Sequence, residues 1–316
     1  MRVAVVQAGS VAFDTGATMK RLEIFARDAA KAGAELAVFP EAFVGGYPKG
    51  IDFGARIGMR SPEGRDWFQR YFAGAIDLPG PELEALQALA AELALALVVG
   101  VIERGGATLY CTVVFIDEAG RTLGMRRKLP TAMERLIWGF GDGSTTGVFE
   151  IGSHKVSAAI CWENYMPMLR QWFYAQGAEI HCAPTVDDRD QWQTTMRHIA
   201  YEGRCFVLSA CQFARRADYP ADYPLDREMQ ADEALIRGGS VIVSPFGEVL
   251  AGPLYGKEGI LMADLDFKEI ARGKFDLDVA GHYARPDVFS LNVDTAEKVV
   301  ARAPAQLPHG SSIVGL

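Results

Sequence analysis

The sequence predicts a single α/β domain with two sheet layers, and three observations carry that reading. Short runs rich in Val, Ala and Ile alternate with helical stretches. The alternation runs to about residue 130 and recurs from residue 155. No low-complexity stretch or linker separates the two passes.

Taken in order, "RVAVVQA" (2–8) reads as a first buried strand and 17–32 as an amphipathic helix ending near Gly33. "ELAVFP" (35–40) is the next strand, followed by the glycine-rich loop "GGYPKG" (45–50). Residues 81–95 read as a helix with Pro81 in its first turn, where a missing N–H costs nothing. "LALVVGV", "TLYCTVVFID" and "TLGMRRKL" then read as successive strands, the last two joined by a turn at 118–120.

In the second pass "KVSAAIC" (155–161) is a strand, 167–176 a helix and "AEIHCAP" (178–184) a strand. Residues 190–203 form a helix and "CFVLSAC" (205–211) a strand. The polar, Pro-containing stretch 212–237 is expected as a long surface excursion. "GSVIVSPFGEVLAGP" (239–253) reads as a hairpin turning at Pro245-Phe246-Gly247.

Composition narrows the function. The 316 residues are 49% hydrophobic and 23% charged, as in an ordinary globular enzyme or binding protein. A formal net charge of −8 argues against nucleic acid or an anionic membrane as partner, and the triplet Arg126-Arg127-Lys128 is too short to reverse that. No apolar run approaches the roughly 20 residues that cross a bilayer, and "MRVAVVQAGS" lacks signal-peptide features. Five cysteines (Cys111, Cys161, Cys182, Cys205 and Cys211) form an odd, unpatterned set, which points to reduced thiols in a cytoplasmic setting.

Three polar residues stand at strand ends: Glu41 after "LAVFP", Lys128 after "LGMRR" and Cys161 after "VSAAI". Strand ends that face one way line a crevice, so residues distant in sequence converge there. A thiol, a carboxylate and an ammonium suit acyl transfer. The ammonium lowers the thiol pKa and stabilises developing negative charge, and the carboxylate moves protons. Each residue alone has a plainer reading: a core cysteine, a loop cap, a solvated strand edge. Their coincidence at three strand ends favours a site.

"FPEAFVGGYPKG" (39–50), "RRKLPTAMERLIWGFGDGS" (126–144) and "AAICWENYMP" (158–167) resemble the three motifs of the nitrilase branch of the carbon–nitrogen hydrolase superfamily. "HCAPT", "RHIAYEGRCFVLSACQF", "GGSVIVSPFGEVLAGP" and "GHYARPDV" extend the resemblance over nearly the whole chain, with wording closest to plant-type and bacterial aromatic or arylaliphatic nitrilases. The resemblance implies a single-domain α-β-β-α sandwich over 1–290, a tail over 291–316, and a Glu-Lys-Cys triad at Glu41, Lys128 and Cys161. A second family glutamate falls at Glu134, and Cys111 stands where the family commonly has Asn.

The implied reaction hydrolyses a nitrile to carboxylic acid and ammonia through a cysteine thioimidate and thioester, with little free amide and neither metal nor cofactor. The Trp162 backbone N–H is expected at the reacting centre, and Tyr47, Thr185 and Trp192 as substrate contacts. A small-molecule nitrile is the expected partner, and a homodimer or larger homo-oligomer the expected assembly. An amidase or carbamoylase on the same fold is the nearest alternative, and a scaffold that only binds is the alternative of another class. A cysteine protease would need a histidine partner, and His154, His181, His198, His282 and His309 carry no mark of that role. Cys205 and Cys211, six apart on an apparent strand, read as one core face and not as metal thiolates.

Overall fold

Successive side chains of a strand point to opposite faces. In the computed structural model, which describes residues 1–130 and 132–299, that rule sorts the apolar residues into an inner core and three outer clusters. The first half contains β1 (Arg2–Gln7), α1 (Thr15–Lys31), β2 (Leu36–Val38), α2 (Pro62–Gly74) and β3 (Ile76–Asp77). It continues with α3 (Pro81–Leu93), β4 (Ala96–Gly105), β5 (Thr108–Ile116) and β6 (Thr122–Arg127). The second half contains β7 (Phe149–Ile151), β8 (His154–Ala158), α4 (Pro167–Ala175), β9 (Ile180–Cys182), α5 (Asp190–Gly203) and β10 (Phe206–Ser209). β11 (Phe213–Arg215), β12 (Ala234–Val243), β13 (Val249–Tyr255), β14 (Gly259–Asp264) and α6 (Lys268–Asp276) complete it.

One sheet runs β14-β1-β2-β4-β5-β6 with β3 beside β4, and the other runs β11-β12-β10-β9-β8-β7 with β13 beside β12. Each is built on three parallel strands, β1-β2-β4 and β8-β9-β10. Parallel neighbours need long crossovers, and the helices supply them on the outer faces. Val3, Val5 and Val38 of one sheet meet Val156, Ile180 and Leu208 of the other in the shared core. Their alternates Ala4, Val6 and Ala37 pack outward on Leu22 of α1 and Leu86 of α3. Val207 and Val241 pack outward on Met196 and Ile199 of α5. The result is the α-β-β-α sandwich. Each fully buried aliphatic side chain contributes about 1.5–3 kcal/mol to it, so truncating a central one such as Ile180 to alanine costs about 2–5 kcal/mol.

Four expectations need correction. Residues 51–80, given no element from sequence, carry α2, which Ser61 caps by accepting from the Gly64 N–H. Its buried Trp67 and Tyr71 pack on Phe13 and Phe53, an apolar face four residues apart that the sequence did carry. The stretch 212–237 is not only a surface excursion: it opens with β11, and the buried Tyr219 and Tyr223 donate to the backbone oxygens of Tyr47 (2.8 Å) and Lys49 (2.9 Å). The strand expected to deliver Cys161 stops at Ala158, and Cys161 begins a 3₁₀ turn. Cys205 and Cys211 flank β10 and lie in different cores, the outer one under α5 and the inner one. They share no face because the strand between them is too short to set their direction.

Candidate active site

Glu41 reaches the interior because β4 has a glycine where the chain crosses it. A Cβ on Gly100 would sit 2.2 Å from the Pro40 oxygen and 2.8 Å from the Glu41 Cα, which no side chain tolerates. Gln212 fixes the loop by donating from Nε2 to the Glu41 backbone oxygen at 2.7 Å. Lys128 follows β6, and its backbone N–H extends the pairing by donating to the Cys111 oxygen at 2.8 Å. Its side chain is buried, with Nζ 2.5 Å from Glu41 Oε1 and 2.5 Å from Glu134 Oε2. Glu134 comes from the short 3₁₀ turn Ala132–Leu136 and accepts from the Tyr47 hydroxyl at 3.0 Å.

Cys161 sits at φ +51°, in the left-handed region that L-residues rarely enter. Its N–H donates to the Pro184 oxygen at 2.8 Å, which ties the turn to the chain leaving β9. The Sγ accepts from the Thr185 hydroxyl at 3.2 Å. Trp162 follows in the first helical turn, where N–H groups have no partner within the helix.

The charges do not balance in the usual way. Glu41 Oε1 accepts from Lys128 and, at 3.7 Å, from the Cys111 thiol, while among the described residues the buried Oε2 has no hydrogen-bond partner. Burial pushes the Glu41 carboxyl up to about 7, against the pull of Lys128 and with the push of Glu134. Cys161 also acts on this carboxylate, yet its thiol is not in hydrogen-bond geometry with Oε2. Burial alone would lower Lys128, but the Glu41 and Glu134 carboxylates outweigh it and hold the ammonium well above its ordinary value.

The thiol departs from expectation. Burial, then Glu41, raise the Cys161 pKa above its ordinary value, and Lys128 offsets only part of this. The ammonium was expected to lower it, but two carboxylates already claim that charge. The surroundings of Cys161 therefore favour its neutral thiol form.

A cavity of about 240 Å³ opens onto Cys161, lined by Tyr47, Met133, Glu134, Trp162, Val186 and Arg189 among others. The Trp162 indole donates from Nε1 to Asp187 Oδ2 at 2.8 Å, and the Arg189 guanidinium, itself paired with Asp187, lies 4.8 Å over the ring. Tyr47 thus stands in the cavity wall. Trp192 does not: it is fully buried under α5 and donates to the Ser209 hydroxyl at 2.9 Å, so its expected substrate contact is withdrawn. Thr185 is equally buried and touches the thiol instead of the cavity.

Sequence reasoning missed Glu163, whose carboxylate is buried against Arg126, and the buried pair Asn164 and His181. A charged residue two positions after the nucleophile, with an apolar strand before it, was the available signal. Its partner across the sheets was not. Among the described residues, no group of three or more His, Cys, Asp or Glu side chains is arranged to hold a metal ion.

The profile of the carbon-nitrogen hydrolase family matches residues 2–275. A bifunctional nitrilase/nitrile hydratase of Nicotiana tabacum is 56% identical over 298 residues, covering 93% of this chain and 86% of that one. A nitrilase of Bradyrhizobium diazoefficiens is 55% identical over 298 residues, covering 94% and 93%. The structure of Saccharomyces cerevisiae Nit3, a member of branch 10 of the nitrilase superfamily, superposes with a TM-score of 0.67 at 21% identity, covering 90% of this chain and 96% of that one. At that identity the likeness speaks for the fold alone.

Proposed function

The chain belongs to the carbon–nitrogen hydrolase family, and on that premise we propose that it hydrolyses organic nitriles to carboxylic acid and ammonia through covalent intermediates on Cys161. One observation carries the chemistry. The Cys161 thiol opens onto a cavity beside a buried carboxylate, one of whose oxygens has no hydrogen-bond partner among the described residues, and a buried ammonium.

In the first step an Sγ–C bond forms at the nitrile carbon, the thiol proton passes to Glu41 Oε2, and the nitrogen takes that proton to give a thioimidate. Water then adds to the carbon with one of its protons passing through Glu41 to the nitrogen, and the proton of the new hydroxyl follows it there as the C=O bond forms, making the nitrogen a better leaving group. The C–N bond breaks, ammonia departs and a thioester remains. A second water forms the new C–O bond as the C–S bond breaks, and the thiol regains its proton. Lys128 stays charged throughout and stabilises the tetrahedral centres together with the Trp162 N–H. A base near pH 7 is well matched to this shuttling. Glu134 holds Lys128 and Tyr47 in place and adds to the carboxylate field.

A second product deserves its own reading because the tobacco relative is called both nitrilase and nitrile hydratase. The first tetrahedral intermediate that expels Cys161 instead of ammonia releases amide. Acid is the expected major product, since Glu41 and Glu134 both favour a positively charged nitrogen.

The test is a panel of aromatic, arylaliphatic and aliphatic nitriles, with ammonia, acid and amide measured from each. Cys161→Ala should abolish all three with the fold intact by circular dichroism. Turnover of amides but of no nitrile would overturn the assignment, and ammonia release by Cys161→Ala would overturn the nucleophile.

No helix among the described residues is long and apolar enough to cross a membrane. Five free cysteines, all buried, support a reducing, cytoplasmic compartment. A dimer or larger homo-oligomer remains the expected assembly, measurable by sedimentation.

A further inference from the structure

We infer that Asn164 aims the Trp162 backbone N–H at the reacting centre, and that His181 holds Asn164 in the orientation this needs. The inference rests on Cys161 as nucleophile and adds positioning residues to it.

The strained φ of Cys161 must be held by its surroundings. Asn164 grips the backbone on both sides of it, with Nδ2 donating to the Ala159 oxygen and to the Cys161 oxygen, each at 2.8 Å. Those carbonyl oxygens only accept, so the amide cannot be flipped. Its Oδ1 therefore faces His181 Nε2 at 2.8 Å, and that nitrogen carries the ring proton. The bare Nδ1 then accepts from the Ser157 hydroxyl at 2.9 Å. Ser157, Asn164 and His181 are all buried, and every polar atom of the Asn164 side chain is used. Burial, with Arg126 and Arg170 nearby, lowers His181 to about 3, so the ring serves as a fixed donor and carries no proton in turnover.

The consequence follows from the planar peptide. In a trans unit the C=O and the next N–H point in opposite directions, and the unit joining Cys161 to Trp162 is trans. Asn164 draws its oxygen inward, so its N–H is turned away from Asn164. Cys161 and Trp162 both line the cavity, and that is the side left to the amide. The Trp162 side chain, anchored on Asp187, fixes the other end of the unit.

Two reagents separate aiming from general damage. Iodoacetamide alkylates Cys161 with loss of iodide, the thiol proton going to Glu41, and develops no charge that the Trp162 amide could stabilise. An aldehyde analogue of a substrate adds Sγ to its carbonyl carbon, and the oxygen, which gains the thiol proton overall, occupies the position the amide serves. In Asn164→Ala, kcat for the nitrile and affinity for the aldehyde should both fall roughly a hundredfold, the size of one lost oxyanion donor. KM and the alkylation rate should change only a few-fold. His181→Gln, which supplies an N–H to Asn164, should recover most of the aldehyde affinity that His181→Leu loses. This pair reads the same ratio if Asn164→Ala does not fold.

An aldehyde affinity that is unchanged in the variants, or that falls only in step with alkylation, would overturn the inference. So would His181→Gln behaving like His181→Leu, for the histidine's part. A wild type whose Cys161 resists both reagents would overturn the proposed function instead.

Discussion

Two buried charge clusters lie two residues apart on the chain leaving β6, and they are built to opposite ends. Arg126 meets Glu163 through two hydrogen bonds of 2.6 and 2.7 Å, and the Leu129 and Ile160 N–H groups donate to the same carboxylate at 2.6 and 2.7 Å. Four donors fill the acceptor sites of Glu163. Lys128, by contrast, is shared by Glu41 and Glu134, and among the described residues one Glu41 oxygen has no partner. One cation against one carboxylate is neutral, and one against two is not. A carboxylate with all its acceptor sites filled fixes geometry, here tying the first sheet to the turn that carries Cys161, although Arg126 Nε has no partner among the described residues. An unsatisfied one stores an unmet demand for a proton, which is what a base needs.

Breaking the satisfied pair should have the largest effect. Glu163→Gln strands the Arg126 charge in the core and should cost about 3–5 kcal/mol, read as a large fall in Tm with kcat reduced only in whatever remains folded. A variant as stable as wild type would show that the pair holds nothing together.

Next comes the ammonium. Lys128→Arg keeps the charge but replaces a compact donor with a wide planar fork, and should lower the rate roughly a hundredfold without a comparable fall in Tm. Near-normal kinetics would make Lys128 another structural cation like Arg126.

The pH response sharpens the contrast further. Burial pushes the Glu41 carboxyl up to about 7, above the ordinary carboxylate range, so kcat/KM should fall tenfold per unit below about pH 7 as the carboxylate takes up a proton. For stability the sign is opposite. A raised folded-state pKa stabilises the native state below the unfolded value, and that contribution is lost as pH rises through about 7. Wild type should therefore lose stability relative to Glu41→Gln between pH 5 and 8, and parallel Tm curves for the two would contradict the raised value.

The smallest expected effect is on product choice. Glu134→Gln weakens the carboxylate field that favours a protonated leaving nitrogen, so the amide fraction from one nitrile should rise severalfold at matched conversion. An unchanged ratio in an active variant would reduce Glu134 to a support for Lys128 and Tyr47.

Much of this was legible in the chain. Strand and helix periods are local, and the parallel strands and the helices at 17–32, 81–95 and 190–203 follow from them with small shifts of boundary. Glu41, Lys128 and Cys161 stood out because each is a polar residue at the end of a strand-like run. Trp192 misled because it follows the "HCAPT" segment as a loop residue would, yet it lies on α5 with its ring turned inward. Asn164 and His181 left no trace, since a short polar side chain looks the same in sequence whether it faces water or clamps a strained residue.

The sequence by itself determined the two sheet layers, most of the strands and helices and the three chemical groups at the strand ends, because periodicity and strand-end placement depend on neighbours a few positions away, whereas the order of strands in each sheet came from the structure. Only the tertiary structure decided their charge states and their divisions of labour. Lys128 and Glu41 are 87 residues apart and Arg126 and Glu163 are 37 apart, so which carboxylate is satisfied and which is left open emerges only when the two halves close. Exclusion of water then does the rest. It raises the Glu41 carboxyl and the Cys161 thiol together, while the two carboxylates hold the Lys128 ammonium charged.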